Sequence, residues 1–213
     1  MWLDNGSEYM AADGTQWTDR AGGYNVTAAG AACPTFTTNQ VNGRPAFVFD
    51  GVNDIMTRLG SPAVPPIQGL SGLTMWAVGQ RFGFNHYSSA SLRTEILHFT
   101  DNVVYGIIAN SANSSGSFTH TNNFCYVVLV FDGSQGSNST RLTIYVNGVL
   151  RTLTFVSTIP ATTEASVISD FQIGTTGTTK FAGSACEFGA VASVLSAGQI
   201  TNLNSYLSSK YAI

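Results

Sequence analysis

The chain has 213 residues, enough for a single all-β domain that buries a hydrophobic core without disulfide staples. Charged residues make up only 10% of it, against roughly 25% in an average domain, and the formal net charge is −3. With no basic cluster to neutralise phosphates, nucleic acid is excluded as an expected partner. With no apolar run of about 18 residues, a membrane-spanning helix is excluded too.

The polar surface must therefore come from Ser, Thr, Asn and Gln, with 22 glycines for turns. Such a surface can hydrogen-bond a sugar or a neighbouring subunit without stripping water from ions.

In chain order, the opening "MWLDNGSEYM" lacks the basic and apolar regions of a signal peptide. Short β-like runs then recur between turn residues: "RPAFVFDG" (44–51), "LTMWAVGQRF" (73–82), "TEILHF" (94–99), "NVVYGII" (102–108) and "FCYVVLVFDG" (124–133). "DFQIG" (170–174) and "ACEFGAVA" (185–192) follow the same rhythm. No helical pattern separates them, which predicts an antiparallel sandwich or barrel rather than βαβ units. "YVVLVF" is apolar on both faces and suits a central strand covered on each side. The polar stretches 110–123 and 133–140 read as loops.

"RLTIYVNGVLRTLTF" (141–155) predicts a hairpin, because Asn147-Gly148 readily takes the positive φ angles of a type I′ turn. That register pairs Val146 with Val149, Ile144 with Arg151 and Leu142 with Leu153, and it buries one face. A helix is predicted only at the end, in "LSAGQITNLNSYLSSKYAI". Ser196 and Gln199 form a capping box, Ile200, Leu203 and Leu207 make a narrow apolar stripe, and Lys210 sits in the last turn. This helix is expected to cap a sheet edge or one end of the core.

Five motifs appear together in a familiar order: "WLD" (2–4), "QWTDRAG" (16–22), "NGRPAFVFDGVNDIM" (42–56), "YVNGVL" (145–150) and "LSAGQITNLNSYLSSKY" (195–211). In these the chain resembles a laminin G-like domain of the concanavalin A-like lectin/glucanase superfamily, most closely its bacterial and bacteriophage branch. The resemblance spans nearly the whole chain. It implies one all-β domain over residues 1–213: a two-sheet antiparallel jelly-roll sandwich with a short C-terminal helix. Trp17 and Trp76 are then core residues by position, and Trp2 is not assigned. The fold alone fixes no activity, since lectins, glycosidases, lyases and structural modules share it.

Retaining glucanases of that superfamily carry E-x-D-x-E on one strand, which places two carboxylates about 5 Å apart. This chain has four glutamates, Glu8, Glu95, Glu164 and Glu187, and none has an acid two residues away. A pair assembled across strands, such as Glu95 with Glu187, is left open. The three histidines are dispersed, with His98 read as a strand histidine, and no hydrolase, zincin or phosphate-loop motif occurs. No catalytic residue is therefore assigned.

Cys33, Cys125 and Cys186 are far apart and are expected to be free buried thiols. Asp50, Asn53 and Asp54 in "FDGVND" suggest a rim calcium site, but they read first as a turn that binds its own backbone. No cofactor is expected. Four N-x-[ST] sequons, at Asn5, Asn25, Asn113 and Asn138, are discounted without a secretory signal.

What remains is ligand or partner contact. "RFGFNHYSSASLRT" (81–94) and "SFTHTNN" (117–123) look like loops carrying aromatic and polar groups that grip sugars or proteins. The candidate binding residues are Asn85, His86, Tyr87, Arg93, Phe118 and His120. The competing account tucks these aromatics under their own loops.

The expected role is a non-catalytic virion surface module, a bacteriophage capsid decoration protein or fibre head. Its partners would be the major capsid protein, other virion proteins or sister copies in a trimer. The alternative is a sugar-binding domain of a phage or bacterial adhesin, with surface glycans as ligand.

Overall fold

The computed structural model describes residues 1–21, 23–58, 67–89, 92–98, 103–121, 123–165, 170–176 and 179–213. The strands run β1 (Trp2–Leu3), β2 (Gln16–Trp17), β3 (Val26–Thr27), β4 (Thr35–Val41), β5 (Arg44–Asp50), β6 (Met56–Arg58) and β7 (Gly72–Gln80). Next come β8 (Gly83–Ser89), β9 (Leu92–His98), β10 (Val103–Asn110), β11 (Ser115–Thr119) and β12 (Cys125–Asp132). A one-turn helix α1 (Asn138–Arg141) precedes β13 (Leu142–Val146), β14 (Val149–Leu150) and β15 (Thr154–Val156). The chain closes with β16 (Asp170–Ile173), β17 (Thr175–Thr176), β18 (Thr179–Lys180), β19 (Ala182–Val191) and helix α2 (Ala197–Tyr211).

These strands form two antiparallel sheets packed face to face. The first runs β14-β13-β12-β7-β19-β5-β4, with β1 also paired to β19. The second runs β15-β11-β10-β9-β8-β16-β6-β3-β2, and β17 and β18 form a separate hairpin. Strand alternation sends one set of side chains inward from each sheet. Trp17, Phe47, Met75, Phe84, Ile96, Val127, Leu129, Phe171 and Phe188 meet there in the main core. Contacts between the layers include Phe84 stacked on Phe188 at 4.9 Å and Trp17 edge-on to Phe47 at 5.5 Å. The Trp17 indole N–H donates to the Asp4 carbonyl at 2.7 Å, so its one polar atom is satisfied in the core.

A second apolar layer lies on the other side of the first sheet. Trp76, Val78, Tyr126 and Val128 point away from the main core, and α2 covers them with Ile200, Leu207 and Tyr211. Strand β12 is therefore apolar on both faces, as its sequence requires. The helix blankets a sheet face rather than an edge or core end, because the sheet offers it a full row of outward apolar side chains. The Ser196–Gln199 capping box forms as expected. Among the described residues, no helix is long and apolar enough to cross a membrane.

Four local readings change. The Asn147-Gly148 turn has φ of 49° and 75°, and Val146 pairs with Val149. Tyr145 pairs with Leu150, and beyond that the hairpin keeps only one bond, from the Arg151 N–H to the Ile144 carbonyl at 2.9 Å. Leu142 does not pair with Leu153. Residues 154–156 cross to the other sheet and pair with β11, because Leu153 and Phe155 turn into the core instead of continuing the ladder. The stretch 110–123 is not all loop, since it contains β11. Nor is 133–140, which leads into α1. Cys125 and Cys186 are buried free thiols, but Cys33 is only half-buried.

Candidate functional site

Residues 81–94 are not a loop. Apart from 90–91, which lie outside the described residues, they build the β8–β9 hairpin in the middle of the second sheet. Alternation divides the candidate residues between its two faces. Phe84 and its partner Ile96 point into the core, so His86 and Thr94, two residues along, point inward as well. Asn85 with Glu95 and Tyr87 with Arg93 point outward, on the solvent side.

His86 is therefore a core residue. It is fully buried, its Nδ1 contacts the Glu164 carboxylate, and its Nε2 lies 3.2 Å from the Gln68 amide nitrogen. Phe118 points inward opposite Val104 and packs against the core. His120 follows β11 half-buried, its ring 5.6 Å from that of His98. Both belong to packing rather than to a grip. His98 is fully buried, stacked edge-on with Phe82.

Of the six candidates, Asn85, Tyr87 and Arg93 share one surface. Along it, register gives a row Arg93–Tyr87–Asp170 across β9, β8 and β16. Arg93 donates to Glu95 at 3.2 Å and to Asn113 at 2.8 Å, which fixes its guanidinium beside Tyr87. The next row is Glu95–Asn85–Gln172. The β17–β18 hairpin folds over it. The Asn85 amide donates to the Thr175 carbonyl, and the Thr176 hydroxyl donates to Glu95 at 3.0 Å. Behind this hairpin Phe181 packs on Leu97, Ile107 and Ala109.

Glu95 is fully buried in that setting. Burial pushes its carboxyl up to about 7, with Arg93 and the Thr176 hydroxyl acting in the opposite direction. The cross-strand acid pair left open by the sequence does not assemble. Glu187 projects from the far side of the other sheet, beneath α2, so the whole core separates it from Glu95.

The sequence did not single out the surroundings of Glu187. A bulge between Ala185 and Glu187 turns Cys186 and Glu187 to the α2 side. There the carboxylate accepts from the indoles of Trp2 and Trp76, each at 3.0 Å, and from Tyr211 at 2.8 Å. Tyr206 at 3.2 Å and Lys210 at 2.6 Å complete the set. Burial alone would lower the Lys210 ammonium, but Glu187, Asp4 and Tyr206 outweigh it and hold it above its usual value. Burial would likewise raise Asp4, yet Lys210 and Arg20 hold that carboxyl low. Trp2, unassigned in the sequence, closes the cluster, with the Arg20 guanidinium 4.4 Å above its ring.

The turn at Asp50 uses one oxygen of Asp50 and one of Asp54 internally. Asp50 Oδ1 accepts from the Val52, Asn53 and Asp54 N–H groups at 2.8, 3.2 and 3.3 Å, which holds its carboxyl below the usual range. Asp54 Oδ2 accepts from the Asp50 N–H at 2.8 Å, and the Asn53 amide donates to the Ala31 carbonyl. One oxygen of each carboxylate thus binds the turn's own backbone, as the turn reading expects. Among the described residues, no group of three or more His, Cys, Asp or Glu side chains is arranged to hold a metal ion.

No protein-family model matches the sequence, and no curated protein matches it either. Solved structures do match its shape. The receptor-binding domain of botulinum neurotoxin C/D mosaic serotype superposes over 97% of this chain with a TM-score of 0.62 at 12% identity. The chain spans 50% of that domain's length. Trypanosoma rangeli sialidase, solved with sialic acid, superposes over 98% of this chain and 32% of its own, with a TM-score of 0.56 at 13% identity. Domain 4 of the extracellular arabinanase AbnA from Geobacillus stearothermophilus, solved with arabinotriose, superposes over 84% of this chain and 83% of its own. Its TM-score is 0.51 at 12% identity. At such identities the likeness is one of fold. The chain is an all-β protein, a two-sheet antiparallel jelly-roll sandwich with a short C-terminal helix.

Proposed function

We propose that this chain is a non-catalytic binding module that holds a saccharide on the solvent side of its second sheet. The observation that carries this reading is the row Arg93–Tyr87–Asp170. It sets an aromatic ring between a guanidinium and a carboxylate on neighbouring strands, all three half-buried. A ring supplies apolar area to a sugar's C–H face, and flanking donors and acceptors fix its hydroxyls. The arabinanase domain, a fold of similar length seen with a neutral trisaccharide, supports the same reading. Glycoside hydrolysis needs two matched carboxyl groups, and the two on this face, Glu95 and Asp170, stand in different rows on strands separated by β8.

The test is a glycan array with the intact chain and Tyr87→Ala. Retention on a defined saccharide set, lost in the variant, is the expected result. Unchanged retention in Tyr87→Ala would move the site elsewhere, and release of reducing ends from a polysaccharide panel would overturn the non-catalytic reading. His86→Ala is no probe of binding, because it removes a buried contact of the Glu164 carboxylate in the core.

A second reading rests on a different surface. Strands β14 and β15 end the two sheets on one flank, where Val149, Leu150 and Val156 are each more than half exposed. Apolar side chains beside unpaired strand edges suit a protein partner. This supports a laminin G-like virion module, a capsid decoration protein or fibre head that binds the major capsid protein or sister copies. Co-sedimentation with empty capsids, abolished by Leu150→Asp and indifferent to added sugars, is the outcome that reading predicts.

A further inference from the structure

A cleft of about 720 Å³ opens on the opposite side of the molecule from the Tyr87 row. It lies where the segment 4–8, the start of β5 and the last turns of α2 come together, and its size falls within the roughly 300–1,000 Å³ of small-molecule sites. Its polar groups are unusual in how many remain available. Asn5 is only 1% exposed. Its amide nitrogen donates to the Pro45 carbonyl at 3.2 Å, while its Oδ1 has no partner among the described residues. A buried acceptor without a donor is costly, and a ligand hydroxyl would relieve it.

Arg44 uses Nε on the Lys210 carbonyl at 3.0 Å, and its two terminal nitrogens have no protein partner among the described residues. Arg20, its side chain 44% exposed, holds Asp4 at 2.6 Å and presents its remaining N–H groups to the same space. Glu8 adds an exposed carboxylate, and the Tyr206 ring stands at the lip, 36% exposed.

Charge decides the ligand class. Arg20, Arg44 and Lys210 face Asp4 and Glu8, with Glu187 directly beneath Lys210. Positive and negative groups are equal in number, so the cleft gives no net attraction to an anion. What it offers is unpaired donors and unpaired acceptors side by side, next to an aromatic ring. A vicinal diol meets both, because each hydroxyl donates one hydrogen bond and accepts others. We infer that this cleft binds a neutral oligosaccharide, as a second site separate from the Tyr87 row. The inference rests on the reading of the chain as a saccharide-binding module and adds a second point of attachment to it.

Amide chemical-shift mapping of the intact chain tests this, with cellotriose, maltotriose and arabinotriose as neutral probes and a uronic-acid disaccharide as the anionic one. The expected result is a neutral probe that shifts Gly6, Gly43 and Ser209 with a Kd of about 1 mM or tighter. Glu8→Ala, at an exposed position, and Arg44→Ala should each weaken that binding by about tenfold, while Tyr87→Ala leaves it unchanged. Shifts confined to the strands around Tyr87 and Arg93 would overturn the cleft and leave the module reading standing. Binding of the uronic-acid probe alone, weakening as salt rises, would overturn the neutral ligand class. Silence of both surfaces toward every probe would overturn both readings.

Discussion

Two buried glutamates, one on each outer face of the sandwich, show how differently the same side chain can be used. Glu187 lies under α2 and accepts from five donors: two indoles, two phenols and the Lys210 ammonium. Glu95 lies under the β17–β18 hairpin and has two, the Thr176 hydroxyl and the Arg93 guanidinium at 3.2 Å. Both are fully shielded from solvent. The first environment replaces the water the carboxylate lost, and so it pins the helix and the N-terminal segment to the sheet. The second does not, and so the carboxyl is poised near neutrality. Surroundings decide whether a buried acid is a rivet or a proton store.

The largest effect should come from breaking the better-satisfied side. Glu187→Ala removes the acceptor of two indole N–H groups and the Tyr211 hydroxyl and leaves Lys210 only Asp4 as counter-ion, and a cost of about 3–5 kcal/mol is expected, as for other broken buried pairs. In a chain of this size that lowers Tm by roughly 10 °C, readable by calorimetry. An unchanged Tm would mean that the network is ornamental.

Glu95→Gln should act in the opposite direction. The Glu95 carboxyl titrates near 7 in the folded chain, against an ordinary value of 4.5. Below the ordinary value both states hold the proton, and Glu95 carries no penalty. As pH rises toward 7 the unfolded chain releases the proton first, so folding loses stability at up to about 1.4 kcal/mol per pH unit. Urea melts should therefore show Glu95→Gln matching the parent at pH 4 and exceeding it at pH 8 by up to roughly 3 kcal/mol. Equal stability at both pH values would show that Arg93 and Thr176 compensate Glu95 fully.

Gly189→Ala sharpens the contrast from the Glu187 side. An added Cβ there would come within 1.9 Å of the Trp76 ring and tilt its indole away from Glu187. The expected loss is about 1–3 kcal/mol, together with a blue-shifted change in tryptophan fluorescence. The smallest effect is reserved for Thr176→Val, which removes one of the two donors to Glu95. It should cost about 1 kcal/mol at pH 8 and push the carboxyl higher still, visible by side-chain NMR titration. No movement of the titration midpoint would discount that hydroxyl.

Much of the sandwich could be read from residue order alone. Strand β12 announced its double burial through six apolar positions in a row, and Ser196, Gln199 and the 200–203–207 stripe located α2 closely. The β8–β9 hairpin was misread for a physical reason. Polar residues occupy both of its faces, His86 inward and Asn85 outward, so period-two alternation carries no hydropathy signal. The inward His86 is tolerable because Glu164 and Gln68, both distant in sequence, meet it. Strand β11, "SGSFT", was hidden because its sole large apolar residue is Phe118. The site at α2 was invisible for another reason. Asp4, Arg20, Glu187 and Lys210 come from four separate segments, and no local spacing brings them together. Trp2 next to Leu3 and Asp4 was the one available hint, since an indole so near a buried strand asks for an acceptor.

Strand β19 sits between β7 on one side and β5 and β1 on the other, so residues 182–191 join a sheet in which their direct partners precede them by a hundred positions or more. During synthesis β7 and β5 must wait with unmet backbone edges until this late segment emerges. A topology so rich in distant pairings folds slowly, on a timescale of about milliseconds to seconds, and is open to mispairing in the interval. The ordering of the chain, more than its final stability, sets when this protein is most vulnerable.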